Sequence, residues 1–321
     1  MNGEFDLIKK YFSFPHSRDD VLIAAGDDCA SVTVPENKQL LITTDTLISG
    51  VHFPIETAAE DIAYKAIMVN LSDLAAMGAT PAWLTLAITL PEFNEGWLER
   101  FSQSFYEVLK RFNISLIGGD TTKGALSITI QAMGLCDKNK SLRRDKAKIG
   151  DKIYVTGSIG DAAIGLQAVI NKYGDEKLQP CITRLNRPEA RVEFAEALVT
   201  HSVCAIDISD GLVADLEHIV EASNCGAKIH LPRIPVSTSA NYYFEKYNKA
   251  IIDWSLLLTQ GDDYELCFTV NAENENKVHD FARQYKLKIN CIGEIIKEKE
   301  LSFINAKGRL EKFLMTGFKH F

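Results

Sequence analysis

Six short strings in this chain combine aspartate with glycine, serine or threonine: Gly26-Asp27-Asp28, Thr43-Thr44-Asp45, Asn70-Leu71-Ser72-Asp73, Gly119-Asp120-Thr121-Thr122, Asp207-Ile208-Ser209-Asp210-Gly211 and Gly261-Asp262-Asp263. Each stands where an apolar, β-like run gives way to a turn or a helix. Carboxylates and hydroxyls are the hard oxygen donors that Mg²⁺ takes, and Mg²⁺ usually keeps several waters and meets phosphate oxygens as well. The chemistry such a set can do is phosphoryl transfer, in which metal ions screen two anionic reactants from each other.

Each string also has a plainer explanation. Asp27 and Asp28 could form only a turn, and Asp210 could be only the N-cap of a helix that starts at Leu212. Ser209-Asp210-Gly211 at a helix start also suits an anion, so cap and ligand roles can coexist. Asn70 and Asp73 stand three apart in an expected helix and share a face, which could aim both into one site.

The common nucleotide signatures are absent. A Walker A loop needs Gly-x-x-x-x-Gly-Lys-Ser/Thr, and the chain has no Gly-Lys dipeptide. Gly157-x-x-Gly160-x-x-x-x-Gly165 lies between an expected strand and helix, but its spacing is not that of a dinucleotide loop. The protein-kinase strings are missing too. If ATP binds, it binds on another architecture.

The elements that must position these residues alternate in two blocks. The first has expected strands at 21–25, 39–44, 83–90 and 126–135 and long helices at 58–77 and 95–112, the latter with Leu98, Phe101, Phe105, Val108 and Phe112 at helical spacing. The polar stretch 136–150, with Arg143-Arg144-Asp145-Lys146-Ala147-Lys148, separates it from the second block. There, expected strands at 152–156, 228–231, 264–270 and 290–296 interleave with helices at 162–171, 187–200, 212–222 and 272–285, an α/β pattern.

Composition sets the outer bounds. The 321 residues are 46% hydrophobic and 24% charged, enough for two cores of ordinary size. A net charge of -8 disfavours a nucleic-acid reader, which shows a basic patch. The seven cysteines are scattered without a Cys-x-x-Cys pair, which suggests neither a disulfide framework nor zinc. There is no signal-like N-terminus and no apolar run of membrane-spanning length, so a cytoplasmic chain with no membrane partner is expected.

Taken together, the strings resemble the bacterial thiamine-monophosphate kinases. Gly26 to Ala30, Thr43 to Leu47 with Gly50-Val51-His52-Phe53, Asn70 to Ala79, Gly118 to Thr122, Asp207 to Leu212, Gly261 to Leu266 and Gly317 to Phe321 fall in that family's order over nearly the whole chain. One Gly-Asp-Asp carries little; seven ordered motifs carry much. The family belongs to the aminoimidazole ribonucleotide synthetase superfamily. The resemblance therefore implies an α/β (α+β) fold with an N-terminal ATP- and Mg-binding domain over 1–137, a linker over 138–150 and a C-terminal α/β domain over 151–321. It implies a homodimer formed through the N-terminal sheet, and ATP in a cleft between the domains.

The resemblance also implies the reaction, direct γ-phosphoryl transfer from ATP to thiamine monophosphate with several Mg²⁺ ions. By resemblance, Asp28, Thr43, Thr44, Asp45, Asp73, Asp120, Asp207 and Asp210 carry or neighbour the metals. Gly119, Asp120, Arg144 and Ser209 meet ATP, and His52, Asp263, Glu265 and Phe318 meet thiamine monophosphate, with the choice between Asp262 and Asp263 left open. No general base is assigned, because a terminal phosphate is already largely deprotonated. Selenophosphate synthetase and the hydrogenase-maturation protein share the ATP architecture. The former is expected to carry a reactive cysteine or selenocysteine near its start and the latter a C-terminal cysteine motif, whereas this chain begins Met1-Asn2-Gly3-Glu4 and ends Lys319-His320-Phe321. A non-catalytic cation-binding module is the remaining alternative, and the EF-hand spacing it would use is absent.

Overall fold

The computed structural model describes residues 4–15 and 18–313. The chain divides into two compact units, Met1–Leu74 with Ala79–Asn139, and Ala75–Gly78 with Lys140–Phe321.

The first unit runs α1 (Glu4–Tyr11), β1 (Val21–Ile23), β2 (Ser31–Val32), β3 (Lys38–Ile48), α2 (Ala59–Ala76), β4 (Thr80–Leu90), α3 (Glu95–Arg111), β5 (Ser115–Lys123) and β6 (Ser127–Asp137). Its sheet has the order β3-β6-β4-β5, antiparallel except for the parallel β4/β5 pair that α3 connects. α2 lies against one face and is buried from Ile62 to Ser72. α3 starts on an Asn94 cap that accepts the Trp97 N–H (3.0 Å), and Ser104 ties it to the Glu60 carbonyl of α2 (2.7 Å). On the other sheet face the described residues cover one end, where Trp83, Ile117, Met133 and Leu135 pack with Val21 and Val32 of the β1/β2 pair. Beyond it Leu40, Ile42 and Ile48 stay 38%, 57% and 40% exposed. Hydroxyl pairs Thr46–Thr129 (2.9 Å) and Thr89–Thr122 (3.0 Å) line the rest of that face.

β5 was not among the expected strands, because Gly118-Gly119-Asp120 reads as a turn. The backbone forms a strand there because Gly119 has no side chain: a Cβ would stand 1.9 Å from the Leu86 carbonyl oxygen of β4.

The second unit holds β7 (Lys152–Thr156), α4 (Asp161–Ile170), α5 (Gln179–Asn186), α6 (Val192–Leu198), β8 (Cys204–Asp207), α7 (Leu212–Ala222), β9 (Gly226–His230), α8 (Thr238–Tyr247), α9 (Trp254–Thr259), β10 (Leu266–Val270), α10 (Glu275–Gln284), β11 (Ile289–Ile296), β12 (Leu301–Ile304) and β13 (Leu310–Glu311). Its sheet order is β13-β12-β9-β11-β7-β10-β8. Both faces of the central strands are covered. Ile153, Val155, Ile206 and Cys267 join the core with α4, α7 and α9, while Tyr154 and Phe268 stack at 5.7 Å and meet Phe194 of α6 and His279 of α10. The expected helix 187–200 is confined to α6, and α8 and α9, which periodicity did not reveal, begin on Ser237 and Asp253 caps. The basic stretch after 140 packs within this unit, Arg143 N–H donating to the Val203 carbonyl (3.0 Å) and Ala147 N–H to Ser223 Oγ (3.0 Å). Among the described residues no helix is long and apolar enough to cross a membrane.

Candidate active site

Strand alternation divides Thr43-Thr44-Asp45 between two faces. Thr43 and Asp45 point to the side that carries α2, and Thr44 points away, exposed. Two α2 residues one turn apart meet them. Asn70 Oδ1 accepts the Asp45 N–H (3.1 Å) while its Nδ2 donates to the Ala66 carbonyl (3.0 Å), and the Thr43 hydroxyl donates to Asp73 in a short hydrogen bond. Asn70 is 0% exposed, so it clamps helix to strand, and the carboxylates of Asp45 and Asp73 are left on one side of β3.

His52 sits in the turn after β3, where its Nδ1 accepts the Ile48 N–H (3.0 Å), which places the neutral ring's proton on Nε2. The buried Lys65 donates to its carbonyl (3.2 Å). Asp27 and Asp28 are exposed, Asp27 Oδ1 accepting the Asp28 N–H (2.8 Å) in a local turn.

Asp120 is not brought to this corner. The β4/β5 register passes from Leu84↔Leu116 to Thr85↔Gly118, so Ile117 is an extra residue, a bulge. After it, Asp120 aligns with Ala87 and shares the open face with Thr122 and Thr44. β3 and β5 are opposite edges of the sheet, with two strands between them.

In the second unit Asp207 ends β8, 3% exposed, and the chain turns through Ser209, Asp210 and Gly211 into α7. Asp215, in the first turn of α7, has a carboxylate that accepts the Asp210 N–H (3.1 Å). Burial pushes its pKa well above the usual range, and the charges of Asp207 and Asp210 add to the rise. Sequence reasoning passed over it; an acidic residue in the first helical turn after a Ser-Asp-Gly cap was the available signal.

Gly261–Glu265 lies along this loop. Asp262 N–H donates to the Ser209 carbonyl and Tyr264 N–H to the Ile208 carbonyl, both at 2.8 Å. Asp263 is 3% exposed; both its carboxylate oxygens accept the Gly160 N–H (2.9 Å) before α4, and burial raises its pKa well above the ordinary value. Glu265, 1% exposed, accepts from Thr156 Oγ1 (2.5 Å), Arg184 (2.8 Å) and Arg191 Nε (2.7 Å), with a further short bond from Arg191. About four lone-pair directions are all a carboxylate has, so a ligand would have to displace a protein donor from it.

Arg144 is exposed in a short 3₁₀ turn. Its neighbour Arg143 is spent on Asp145 (2.8 Å), whereas the Arg144 guanidinium has no partner among the described residues. Phe318 lies outside the described residues.

No group of three His, Cys, Asp or Glu side chains able to hold a metal ion is found among the described residues. Carboxylates gather in two places instead, Asp45 and Asp73 on the α2 side of β3, and Asp207 and Asp210 beside Asp215. Such sets, with hydroxyls beside them and no nitrogen or sulfur donor, fit Mg²⁺, which is bound through one or two carboxylates plus water and phosphate oxygens. Burial first raises the Asp215 pKa, and the neighbouring charges of Asp207 and Asp210, which add to the rise, are of the kind a cation relieves.

The chain matches the AIR synthase related protein N-terminal domain over residues 26–136 and the corresponding C-terminal domain over 148–305. A thiamine-monophosphate kinase of Haemophilus influenzae is 47% identical over 91% of this chain and 89% of its own length. One of Escherichia coli is 44% identical over 99% and 98%. Among solved structures, thiamine-monophosphate kinase from Stenotrophomonas maltophilia superposes with a TM-score of 0.85 at 40% identity, covering 92% of this chain and 93% of that one. AaThiL complexed with AMPPCP and TMP gives 0.80 at 30% identity, covering 99% and 96%. With both domain models matched in order and such relatives aligned over nearly its whole length, the chain belongs to the AIR synthase related proteins and, within them, to the thiamine-monophosphate kinase family.

Proposed function

We propose that this chain transfers the γ-phosphoryl group of ATP to the phosphate of thiamine monophosphate, giving thiamine diphosphate and ADP. The observation that carries the proposal is the β3–α2 corner, where Thr43 is bonded to Asp73 and Asp45 is anchored on Asn70. It supplies paired oxygen donors in a family with a solved relative complexed with AMPPCP and TMP.

In this proposal Asp28, Thr43, Thr44, Asp45, Asp73, Asp120, Asp207 and Asp210 hold or neighbour Mg²⁺. The ions, when bound, supply charge screening between the two phosphate groups and stabilise charge on the transferred one. Ser209 and Gly119 offer backbone and hydroxyl donors, and Arg144 offers a forked guanidinium to the triphosphate. His52 holds Nε2–H toward substrate because Nδ1 is occupied by the Ile48 amide. Within Gly261–Glu265, Asp262 is the half-buried carboxylate for the substrate side, and Asp263 and Glu265 support the segment from behind. Phe318 supplies an aromatic face to the cationic thiazolium.

Purified protein given ATP, Mg²⁺ and thiamine monophosphate is expected to form thiamine diphosphate, to stop with EDTA and to resume with added Mg²⁺. Metal-independent turnover, or ADP release without thiamine diphosphate, would overturn the assignment.

A homodimer through the open face of the first sheet is part of the same proposal, supported by the exposure of Leu40, Ile42 and Ile48 there. Sedimentation is expected to give twice the 35.7 kDa chain mass, and Ile42→Asp to give the monomer. Retention of the dimer by that variant would place the interface elsewhere. A cytoplasmic setting is in keeping with seven cysteines that are all free.

A further inference from the structure

Gly261–Glu265 is held from behind by two arginines that the proposed chemistry does not use. Arg184 and Arg191 are each 20% exposed and converge on the 1% exposed carboxylate of Glu265. Arg191 grips both oxygens in a fork, Arg184 adds 2.8 Å to Oε1 and Thr156 2.5 Å to Oε2. Arg184 also donates to the Asp263 carbonyl (3.1 Å). The turn that resembles a nucleotide loop, Gly157 to Gly160, is the seat for these groups. A Cβ at Gly157 would lie 2.0 Å from Glu265 Oε1, and the Gly160 N–H serves Asp263.

From this anchored segment three backbone bonds cross to the Asp207–Asp210 loop. Ile208 N–H donates to the Glu265 carbonyl, Tyr264 N–H to the Ile208 carbonyl and Asp262 N–H to the Ser209 carbonyl, each at 2.8 Å. The position of Asp207, Ser209 and Asp210 is therefore tied, through the main chain of Glu265, to the orientation of its side chain. The fork fixes that orientation, since two parallel N–H bonds stop a carboxylate from rotating where one point charge does not.

We propose that Arg184 and Arg191 are positioning residues for the Asp207, Ser209 and Asp210 loop, acting through Glu265. The role deepens the proposed phosphoryl transfer and rests on that loop holding metal and nucleotide. Arg191→Lys keeps the charge and loses the fork. Its test is hydrogen exchange together with Mn²⁺ binding, the latter followed by electron paramagnetic resonance in the presence of AMPPCP.

The amides of Ile208, Asp262 and Tyr264 are expected to exchange about tenfold faster in the variant while those of β9 and β11 keep their wild-type rates. Mn²⁺ affinity is expected to fall about tenfold, as when a partner that orients a ligand is lost. Exchange that accelerates evenly across the sheet, or Mn²⁺ affinity equal to wild type, would overturn the role and leave the arginines as core stabilisers. Should Arg191→Lys fail to fold, Arg184→Lys is judged by the same two measurements and the same outcomes. Neither measurement uses thiamine monophosphate, so a wild type that forms no thiamine diphosphate would sink the functional proposal without touching this one.

Discussion

Gly26-Asp27-Asp28 and Gly261-Asp262-Asp263 are the same tripeptide, and the two units use it in opposite ways. Both glycines have positive φ, 128° and 72°. A Cβ on Gly26 would meet nothing within 4 Å, and both following carboxylates are exposed. A Cβ on Gly261 would stand 2.0 Å from the Ser209 carbonyl oxygen, and Asp263 is buried against Gly160. The first copy presents its carboxyl groups to solvent; the second spends its carboxyl oxygens on holding backbone in place. An acidic motif thus announces oxygen donors, and burial decides whether a ligand or the protein receives them.

The largest test of this contrast is a pair of alanines. Gly261→Ala is expected to lower stability by about 3 kcal/mol or more, since left-handed strain and a backbone clash act together. Gly26→Ala carries the strain alone, about 1–2 kcal/mol. Urea unfolding that gives equal losses would break the comparison.

Next come the carboxylates. Asp28→Asn is expected to cut kcat about 100-fold while stability stays within about 0.5 kcal/mol. Asp263→Ala leaves the buried Gly160 N–H without its acceptor and is expected to cost about 2 kcal/mol. A stable Asp263→Ala protein together with an unfolded Asp28→Asn protein would reverse the roles.

The smallest effect is in pH. Burial raises the folded pKa of Asp263 above the ordinary 3.8, so between these values the native state holds more protons than the unfolded chain. Stability contributed by its protonated form is complete below 3.8 and is lost as pH rises toward the folded value. The stability gap between wild type and Asp263→Ala is therefore expected to be widest below pH 3.8 and to narrow at higher pH. A gap that is constant or widens would show that Asp263 is held as a carboxylate.

Much of the fold was legible because its signals are local. The α3 stripe from Leu98 to Val108 is buried as helical spacing implies, and Asn70 and Asp73 do share a face. What escaped the sequence depends on distant partners. Glu265 reads as one more acidic residue of a motif, and the arginines that saturate it stand 81 and 74 positions away. Alternation could have separated Thr44 from Thr43 and Asp45, but the face of Asp120 could not be known before the bulge at Ile117 was seen. α8 and α9 are short helices whose caps, Ser237 and Asp253, were the only local signs of them.

That bulge gives the first unit a parity. In an alternating strand every position is odd or even, and one inserted residue exchanges the two classes for everything downstream. Were the bulge ironed out so that Ile117 paired with Thr85, every later partner would shift by one: Asp120 would stand opposite Ile88 and turn toward α2, leaving Gly119 in its place opposite Ala87. No residue would have changed identity, yet the open face would have lost a carboxylate. At this strand the side on which a carboxylate appears is set by whether the backbone keeps one residue out of the pairing, a property of hydrogen-bond register rather than of residue identity.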